Sequence, residues 1–337
     1  MKVLHAPMNI AGQASILANA QRELGIEADV LIFNQHQFSY HFDINLSLSE
    51  KSTVSRYTTM INNFIKCFLK YDIFHFHFGG SLLPYNLDLP LLKFFKKKII
   101  MHYWGSDIRQ YSIAKNYLFF NNLSELQTIC SFKDEDPIRK KIGRIAKYCD
   151  TTIVGDYSLL PYSPKSLVVK QAIDLKKFPY IGNDSKNKEV IIVHAPSDTD
   201  KKGTKYVIST IEKLKNENCS IEFILIINKT NDEALEIYRK ADIIIDQLYS
   251  ESHGIFAIEC MALGKPVLCR IHEEFTNCYN GLPILNTDPN NLYNNLKLLI
   301  ENKELRLELG KKGRKYVEEV HDSKKIAKKF IELYESI

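Results

Sequence analysis

The segment SESHGIFAIECMALGKPV, residues 250–267, holds the side chains best suited to chemistry. Its two carboxylates, Glu251 and Glu259, lie eight positions apart, with Gly254 between them. An apolar run that closes in DQL comes just before the segment. We therefore expect a buried strand that leads into a helix starting near Gly254.

In a doubly wound sheet, ligands bind beyond the carboxyl ends of the strands, where helix N-termini present free N–H groups. At such an edge, Gly254 would let a phosphate approach the backbone closely. Glu259, about one turn into the helix, would accept hydrogen bonds from a vicinal diol, and Glu251 would reach another group of the same ligand. This combination describes a sugar nucleotide. The alternative is that Glu251 is a surface loop residue and Glu259 a first-turn acid favoured by the helix dipole.

Short β-branched or aromatic runs alternate with amphipathic segments along the chain, which predicts parallel sheets covered by helices on both faces. The predicted strands are too many for one ordinary doubly wound sheet. The polar stretch 181–189 has the composition of a linker. We therefore predict an α/β protein of two Rossmann-like domains. The predicted strands cover residues 2–6, 28–33, 72–77, 98–103, 151–154, 167–173, 190–194, 221–227, 242–248, 266–270 and 282–285.

Composition narrows the class of protein. The 337 residues are 45% hydrophobic and 25% charged, with a net charge of +5, which fits a globular protein that meets anionic ligands. The seven cysteines include no CxxC pair, as expected of a reduced, cytoplasmic protein. The N-terminus MKVLHAPMNI predicts a first strand rather than a signal peptide, and no apolar run approaches the ~20 residues that span a bilayer.

Several motifs together resemble retaining GT-B glycosyltransferases, in particular family 4 (glycosyl transferases group 1). Glu251-x7-Glu259 followed by ALGKPV is similar to that family's ExxxxxxxE region, and VVKQAIDLKKF (168–178) is similar to its PNGVDxxxF segment. HAPSDTDKKGT (194–204) stands where the family has a GRxxxxKG loop, and MHYWGSDIR (101–109) resembles its HGSD-type loop. The resemblance covers nearly the whole chain. It implies two doubly wound domains facing across a cleft, 1–183 together with a C-terminal helix 322–337, and 187–321.

The resemblance implies a role for each matching residue. Glu259 would bind the ribose hydroxyls of the donor and Glu251 the hydroxyls of the transferred sugar, while Lys202 with Gly203 would neutralise the diphosphate. The donor-binding set is then Gly12, Ser197, Lys201, Lys202, Gly203, Gly254, Ile255 and Glu259.

The catalytic set implied by the resemblance is His102, Glu251 and Asp107. His102 would face the donor sugar from the other domain, and Asp107 would orient His102 or bind the acceptor. Three positions depart from the family's pattern. Ser197-Asp198 occupies the neighbourhood of the usual arginine, with Lys201 as a substitute; Gln171 replaces the asparagine of PNG; and one glycine, Gly12, stands where two are common.

The implied activity is transfer, with retention of configuration, from a UDP- or GDP-linked sugar to a hydroxyl of a glycan or lipid-linked acceptor. Cell-envelope or surface polysaccharide assembly is the expected setting, and the enzyme would be cytoplasmic with a peripheral membrane contact. No cofactor besides the donor substrate is expected. Two alternatives remain open: a UDP-sugar 2-epimerase of the same fold, and a non-catalytic subunit that binds nucleotide sugars.

Three further patterns have competing interpretations. Asp198-Thr199-Asp200 has the DxD form of a metal site, but we favour a solvated loop and predict no metal. The two histidines of HFHFGG (75–80) point the same way from a strand, which also suggests a zinc site, but no nearby Cys or carboxylate completes a ligand set. We favour a cleft-lining role over buried structural histidines and over a metal site. LLKFFKKK (91–98) fits either a helix whose lysines suit its C-terminal dipole, which we favour, or a membrane headgroup interface.

Two remaining features concern packing and nucleic acid. No arginine-rich or recognition motif predicts nucleic-acid binding. The basic C-terminal segment carries Ile326, Phe330, Leu333 and Ile337 on one helical stripe, so we expect this helix to pack against the protein.

Overall fold

The computed structural model describes residues 1–35, 40–122, 124–126, 135–182 and 188–337. The chain forms two compact units, and each contains one parallel sheet with helices. Unit 1 comprises Met1–Gln110, Lys133–Ala172 and Asp322–Ile337, and unit 2 comprises Tyr111–Phe132 and Ile173–His321. The predicted α/β architecture with two Rossmann-like sheets is confirmed.

The sheet of unit 1 has seven parallel strands in the order β3-β2-β1-β4-β5-β6-β7. The strand order reverses between β1 and β4, which makes this the topological switch point of the unit. The strands are β1 Lys2–Ala6, β2 Glu27–Ile32, β3 Ile44–Asn45, β4 Ile73–His77, β5 Lys98–Tyr103, β6 Thr151–Val154 and β7 Leu167–Val168. The helices described in unit 1 are Gln13–Glu23, Thr53–Lys70, Leu89–Phe94, Asp136–Tyr148 and Ser323–Ser336, with short 3-10 segments Ile10–Gly12, Leu48–Glu50, Pro84–Asn86 and Tyr157–Tyr162.

The sheet of unit 2 has five parallel strands in the order β12-β11-β10-β8-β9, so its switch point lies between β8 and β10. The strands are β8 Val190–His194, β9 Ile221–Leu225, β10 Ile243–Ile245, β11 Val267–Cys269 and β12 Leu285–Asn286. The helices described in unit 2 are Tyr111–Ala114, Thr199–Lys202, Thr204–Asn216, Asn231–Lys240, Ile255–Ala262, Glu273–Thr276, Leu292–Glu301 and Lys303–Val320.

The small residues of ALGKPV allow two helices of unit 2 to pack closely. The chain turns at Gly264 with a φ of +84°, just after helix Ile255–Ala262. A Cβ atom on Gly310, in helix Lys303–Val320, would lie 2.1 Å from the carbonyl oxygen of Gly264. The side chain of Met261 would lie 3.2 Å from a Cβ on Gly313. These contacts fix the direction of the helix that carries Glu259.

The boundary between the units differs from the predicted one, which lay in the stretch 181–189. The division falls after Ala172, because the backbone N–H of Ile173 donates to the carbonyl of His321 (2.7 Å) and Phe178 packs in the core of unit 2. Ile181 and Gly182, at the start of the predicted linker, both donate to the carbonyl of Leu263 in unit 2. Residues 183–187 of the linker lie outside the described residues.

The segment Tyr111–Phe132, predicted in the first domain, groups with unit 2. The N–H of Phe119 donates to the carbonyl of Tyr249 (2.8 Å), and Glu125 accepts hydrogen bonds from Tyr206 (2.9 Å) and Tyr249 (3.0 Å). Because these partners are distant in sequence, no local pattern could have predicted the grouping.

Other differences are local. Strand β3 was not predicted, and Gly203 separates helix Thr199–Lys202 from helix Thr204–Asn216. The predicted strand 167–173 is shortened to β7. The C-terminal helix Ser323–Ser336 packs its buried Ile326 and Phe330 in the core of unit 1. Within the described part of the chain, no helix has both the length and the apolarity required to cross a bilayer.

Candidate functional site

Two loops lie at the switch point of unit 2. One follows β8 and contains the short helix Thr199–Lys202 and then Gly203, and the other follows β10 and ends where helix Ile255–Ala262 begins. Because β8 and β10 are neighbouring parallel strands, their carboxyl ends lie at the same edge of the sheet. The predicted phosphate-binding residues Lys202, Gly203 and Gly254 lie on these two loops.

A buried carboxylate joins the two loops. The Nζ atom of Lys202 lies 3.2 Å from Oδ1 of Asp246, and it also donates to Oε1 of Gln247. The other oxygen of Asp246 accepts the backbone N–H of Gly254 at 3.0 Å. An ammonium group and a helix N-terminal amide, which are the kinds of group that bind phosphate, therefore share one internal anion.

Gly203 shapes the turn that carries Lys202. Its φ of +79° lies in the left-handed region, and a Cβ there would be 3.1 Å from Cβ of Leu248. The N–H of Leu248 donates to the carbonyl of Lys202 at 3.2 Å. The glycine is required by both its conformation and its close contact, and the structure brings Lys202, Gly203 and Gly254 together.

The first loop is largely exposed between Ser197 and Lys201. Asp198 caps helix Thr199–Lys202 by accepting the N–H groups of Asp200 and Lys201, both at 3.1 Å. The ammonium of Lys201 pairs with the same carboxylate at 3.3 Å. Ser197 and Lys201 are exposed. The first acid of the DxD pattern is therefore a helix cap, and Lys201 pairs with it instead of joining Lys202 and Asp246.

Glu259 lies one turn inside helix Ile255–Ala262, whose first residue, Ile255, is half-buried. The carboxyl group of Glu259 has no hydrogen bond or ion pair among the described residues. Burial raises the pKa of Glu259 to about 8, against a small opposing effect of Lys177. An unpartnered acid with a raised pKa at the carboxyl edge of a sheet is a candidate ligand-binding group.

Glu251 is fully buried, so the alternative of a surface loop residue is wrong for this glutamate. Its Oε2 accepts a hydrogen bond from the hydroxyl of Ser250 at 2.9 Å. Arg270, the first residue after β11, donates to the carbonyls of Tyr117 (2.6 Å) and Ser250 (2.9 Å) and thereby holds this loop. Sequence reasoning missed Arg270. Its position directly after a buried strand was the only signal.

The other predicted residues belong to unit 1. His102, on β5, is 2% exposed and stacks on Trp104 with ring centroids 4.2 Å apart. Neither ring nitrogen of His102 has a hydrogen-bond partner in the described structure, and burial lowers its pKa to about 3. The ring is therefore neutral at physiological pH, with unused hydrogen-bonding capacity.

Asp107 fixes the loop after β5. Its Oδ1 accepts the N–H groups of Trp104 (3.0 Å) and Gly105 (2.8 Å), while Oδ2 has no partner among the described residues. Burial raises the pKa of Asp107. Asp107 makes no hydrogen bond to His102, because the nitrogens of that ring are unpartnered.

Gly12 directly precedes helix Gln13–Glu23 and has a φ of +72°. A Cβ on this residue would lie 2.9 Å from the ring of Tyr40. The site therefore requires glycine for its conformation and for its close contact. A role near a diphosphate stays a prediction.

The histidines of HFHFGG are buried in unit 1, since His75 and His77 are 0% and 1% exposed. His77 nevertheless lines a small pocket together with His102 and Trp104. The indole N–H of Trp104 points at Nδ1 of His77 (3.3 Å). We therefore assign the proton of this ring to Nε2, which donates to Nδ1 of His5 at 3.1 Å. His5 then donates through Nε2 to Oε1 of Gln21 at 2.8 Å.

The same series of hydrogen bonds, which we call the histidine chain, continues from Gln21 to the C-terminal helix. The amide of Gln21 donates to the hydroxyl of Tyr334 (3.0 Å), which donates to Nδ1 of His75 (2.6 Å). His75 therefore carries its proton on Nε2, which has no partner in the described structure. Burial lowers the pKa of His75 and His77 well below the ordinary range and that of His5 to about 4, so all three rings are neutral.

This assignment bears on metal binding. Nitrogen atoms of His5, His75 and His77 lie within 4.8 Å of one another. A metal ion needs an unprotonated nitrogen from each ring. In this assignment that nitrogen is Nδ1, and it already accepts a hydrogen bond in all three rings, from His77 in His5, from Tyr334 in His75 and from Trp104 in His77. The fit is poor unless these hydrogen bonds rearrange. The absence of a metal stays a prediction.

Comparison with known proteins gives partial matches in sequence. The family model described as Glycosyl transferases group 1 matches residues 215–316, a range that includes Glu251, Gly254 and Glu259. A glycosyltransferase of Methanocaldococcus jannaschii named as uncharacterized, MJ1178, is 35% identical over 107 residues. That match spans 31% of this chain and 30% of the relative.

Solved structures match along the whole length. Alr3699/HepE of Anabaena in complex with UDP-glucose has a TM-score of 0.66 at 11% identity, covering 100% of both chains. The UDP-GlcNAc 2-epimerase of Neisseria meningitidis bound to UDP-GlcNAc has a TM-score of 0.59 at 16% identity, again covering 100% of both chains. At these identities the likeness shows the fold alone. The chain has the GT-B fold, and its residues 215–316 match the Glycosyl transferases group 1 family.

Proposed function

We propose that this protein is a retaining glycosyltransferase that moves a sugar from a nucleoside diphosphate to a hydroxyl acceptor. The proposal depends mainly on one observation. At the switch point of unit 2, Lys202 and the backbone amide of Gly254 both donate to the carboxylate of Asp246. The match of residues 215–316 to a glycosyltransferase family supports it, as does the UDP-glucose bound to a protein of similar fold.

A bound diphosphate would replace the carboxylate of Asp246 as the acceptor of two hydrogen bonds. In the ligand-free site, Asp246 accepts from both Lys202 and Gly254. A bound diphosphate would take over these two donors, whose positive charge is then available for the leaving group. Charge on that group grows as the glycosidic bond breaks, so the two donors stabilise the transition state more than the ground state.

The two glutamates would orient the donor. Glu259 has a free carboxyl group one turn into the helix, where it can accept hydrogen bonds from the two ribose hydroxyls. Glu251 is buried in the preceding loop and would read hydroxyls of the transferred sugar. Positioning of this kind lowers the barrier by holding the reacting atoms in a productive geometry.

Retention would not require a protein nucleophile. The departing diphosphate oxygen would take the acceptor proton on the same face of the sugar from which it leaves, unlike the paired carboxylates of retaining glycosidases. His102 is neutral, and neither of its ring nitrogens has a hydrogen-bond partner among the described residues, so it can hydrogen-bond to a sugar hydroxyl without adding charge. Asp107 would maintain the loop that follows His102.

The expected donors are UDP- or GDP-linked sugars, and the expected acceptor is a glycan or lipid-linked sugar used in cell-envelope or surface polysaccharide assembly. This part of the proposal depends on the resemblance to family 4. The site of action would be the cytoplasmic face of a membrane, with the protein bound at its periphery.

A 2-epimerase is the second candidate, because an enzyme of that activity shares the fold over the whole chain. The two activities differ when the donor is supplied alone. A transferase hydrolyses its donor slowly and releases nucleoside diphosphate and sugar, whereas an epimerase yields an isomer of unchanged mass.

The test is incubation of purified protein with UDP- and GDP-sugars, first alone and then with simple glycoside acceptors, followed by mass spectrometry and proton NMR. We expect nucleoside diphosphate release, with the α-anomer formed first from an α-linked donor. Glu259→Gln should abolish it, and Glu236→Gln, on the exposed face of another helix of unit 2, should not. Isomerised donor without nucleotide release would establish the epimerase, and inverted product would contradict retention.

A further inference from the structure

Helix Thr53–Lys70 is apolar on two sides. Its buried side consists of Met60, Phe64 and Cys67. A second apolar stripe is turned to solvent, and its members recur every three or four residues, so they lie along one side of the helix. The stripe consists of Val54, Tyr57, Ile61, Ile65 and Leu69. The side chains at its two ends, Val54 and Leu69, are 74% and 76% exposed.

The stripe continues onto a second element of unit 1. Phe68, beside Leu69 in the helix, packs edge-on against Phe95 with ring centroids 5.1 Å apart. Phe95 packs in turn on Phe94 at 5.1 Å, and Phe94 is 78% exposed. We call this surface the apolar face; it consists of the five stripe residues together with Leu91, Phe94 and Phe95, which are also exposed. An exposed apolar surface of this extent indicates an interaction site.

The two elements that form the apolar face carry charged residues of one sign only. Neither helix Thr53–Lys70 nor the segment 89–98 contains an aspartate or a glutamate. Their basic residues are Arg56, Lys66, Lys70, Lys93, Lys96, Lys97 and Lys98. Lys70 and Lys93 pair with Asp29 and Asp150, whereas Lys66 and Lys96 are exposed and have no ion pair among the described residues.

We propose that the apolar face docks on the surface of a bilayer that contains anionic phospholipid. The apolar side chains would enter the boundary between headgroups and acyl chains, and the lysines around them would meet lipid phosphates. Such a surface is matched by aliphatic and aromatic side chains on two elements that carry basic residues and no acid. A second copy of the chain fits poorly, because pairing two such faces would bring like charges together.

This inference does not depend on the donor site, and its test is separate. Purified protein is sedimented with vesicles of phosphatidylcholine alone or with about 30% phosphatidylglycerol, a content chosen so that the surface is clearly anionic. We expect binding to the mixed vesicles, with affinity at least about tenfold above that for the neutral ones. The binding should weaken steeply as salt is raised.

The apolar contribution is tested with Ile61→Asn and Ile65→Asn together. Both side chains are about half exposed (49% and 50%), so the fold should be retained, as circular dichroism would verify. We expect vesicle affinity to fall about tenfold or more. The matched control is Ile208→Asn with Leu298→Asn, which changes exposed apolar residues on helices of unit 2 and should leave the affinity unchanged.

The charge contribution is tested with Lys66→Gln and Lys96→Gln. Each lost lysine should lower affinity for the mixed vesicles about fivefold, with no effect on neutral vesicles. Lys215→Gln with Lys311→Gln removes the same charge from helices of unit 2 and serves as the control. The proposal is overturned if wild type ignores anionic vesicles or if control and test variants lose equal affinity. It is also overturned if light scattering shows a dimer that Ile61→Asn and Ile65→Asn dissociate, since the apolar face would then bind a second copy.

Discussion

The ammonium of Lys202 lies 3.2 Å from the buried carboxylate of Asp246, and that carboxylate also accepts the amide of Gly254 at 3.0 Å. The two groups that the proposed function assigns to the diphosphate are therefore held by an internal anion when no ligand is present. This arrangement satisfies a buried charge and keeps Lys202 directed at the end of helix Ile255–Ala262.

Replacing the lysine tests this relationship. Lys202→Met removes the ammonium group, and we expect UDP or GDP affinity to fall about tenfold or more, as for loss of a hydrogen bond to a charged group. Isothermal titration calorimetry measures the change. The melting temperature should also fall, because Asp246 loses a buried partner.

Lys201→Met is the matched control for Lys202→Met. The ammonium of Lys201 is exposed and pairs with Asp198, and exposed pairs contribute about 0–1 kcal/mol. Nucleotide affinity should stay within about threefold of wild type, a range set by the same weak coupling. Equal losses in the two variants would contradict a specific role for Lys202.

Glu259 predicts a pH dependence of stability. Burial raises the pKa of Glu259 from 4.5 to about 8, so between these values the folded protein holds a proton that the unfolded chain has released. The free energy of unfolding should therefore decrease as pH rises through this window. Glu259→Gln should become more stable than wild type by about 1–3 kcal/mol near pH 8.5, measured by urea denaturation, and the difference should vanish near pH 4.5. A constant difference across this range would show that the pKa is not raised.

His102 predicts opposite effects on stability and activity. Its ring is buried with both nitrogens unpartnered, and unsatisfied buried groups of this kind cost about 1–3 kcal/mol. His102→Phe should keep the stacking on Trp104, raise the free energy of unfolding, and abolish sugar transfer. A variant that is both destabilised and active would contradict the proposed role.

His102 also contributes to acid sensitivity. Its pKa is lowered from 6.5 to about 3, so below pH 6.5 the unfolded chain binds a proton that the folded protein excludes. Stability should therefore fall as pH decreases from 6.5, and His102→Phe should lessen that loss. A part of it should remain, because His5 also has a lowered pKa, about 4.

The histidine chain predicts indifference to metal ions. Zinc or nickel added in slight excess should not raise the melting temperature, and EDTA should not reduce nucleotide binding or sugar transfer, because Nδ1 of His5, His75 and His77 already accepts a hydrogen bond in each ring. A stabilisation by zinc that His75→Phe removes would show that the chain rearranges around a metal.

The sequence predicted the elements better than the contacts between them. Continuous apolar runs such as Ile243–Ile245 identify buried parallel strands because their burial on both faces leaves a local pattern. The spacing of Glu251, Gly254 and Glu259 placed them correctly around the start of a helix. Their roles in binding stay predictions.

What sequence reasoning missed depends on partners that are distant in the chain. Asp246 pairs with a lysine from another loop, and Arg270 donates to the carbonyl of Tyr117 in the segment Tyr111–Phe132. His5, His75 and Tyr334 form one hydrogen-bond chain only because β1, β4 and the C-terminal helix pack together. No local sequence pattern predicts contacts between residues so distant in the chain.

The most direct test of the account is a thermal-shift measurement of wild type and Glu259→Ala against UDP, GDP, ADP, CMP and dTDP at millimolar concentration. We predict that one nucleoside diphosphate raises the melting temperature of wild type and that Glu259→Ala loses this shift, which would also indicate the donor. No shift with any nucleotide, or an equal shift in the variant, would contradict a donor site built on Glu259.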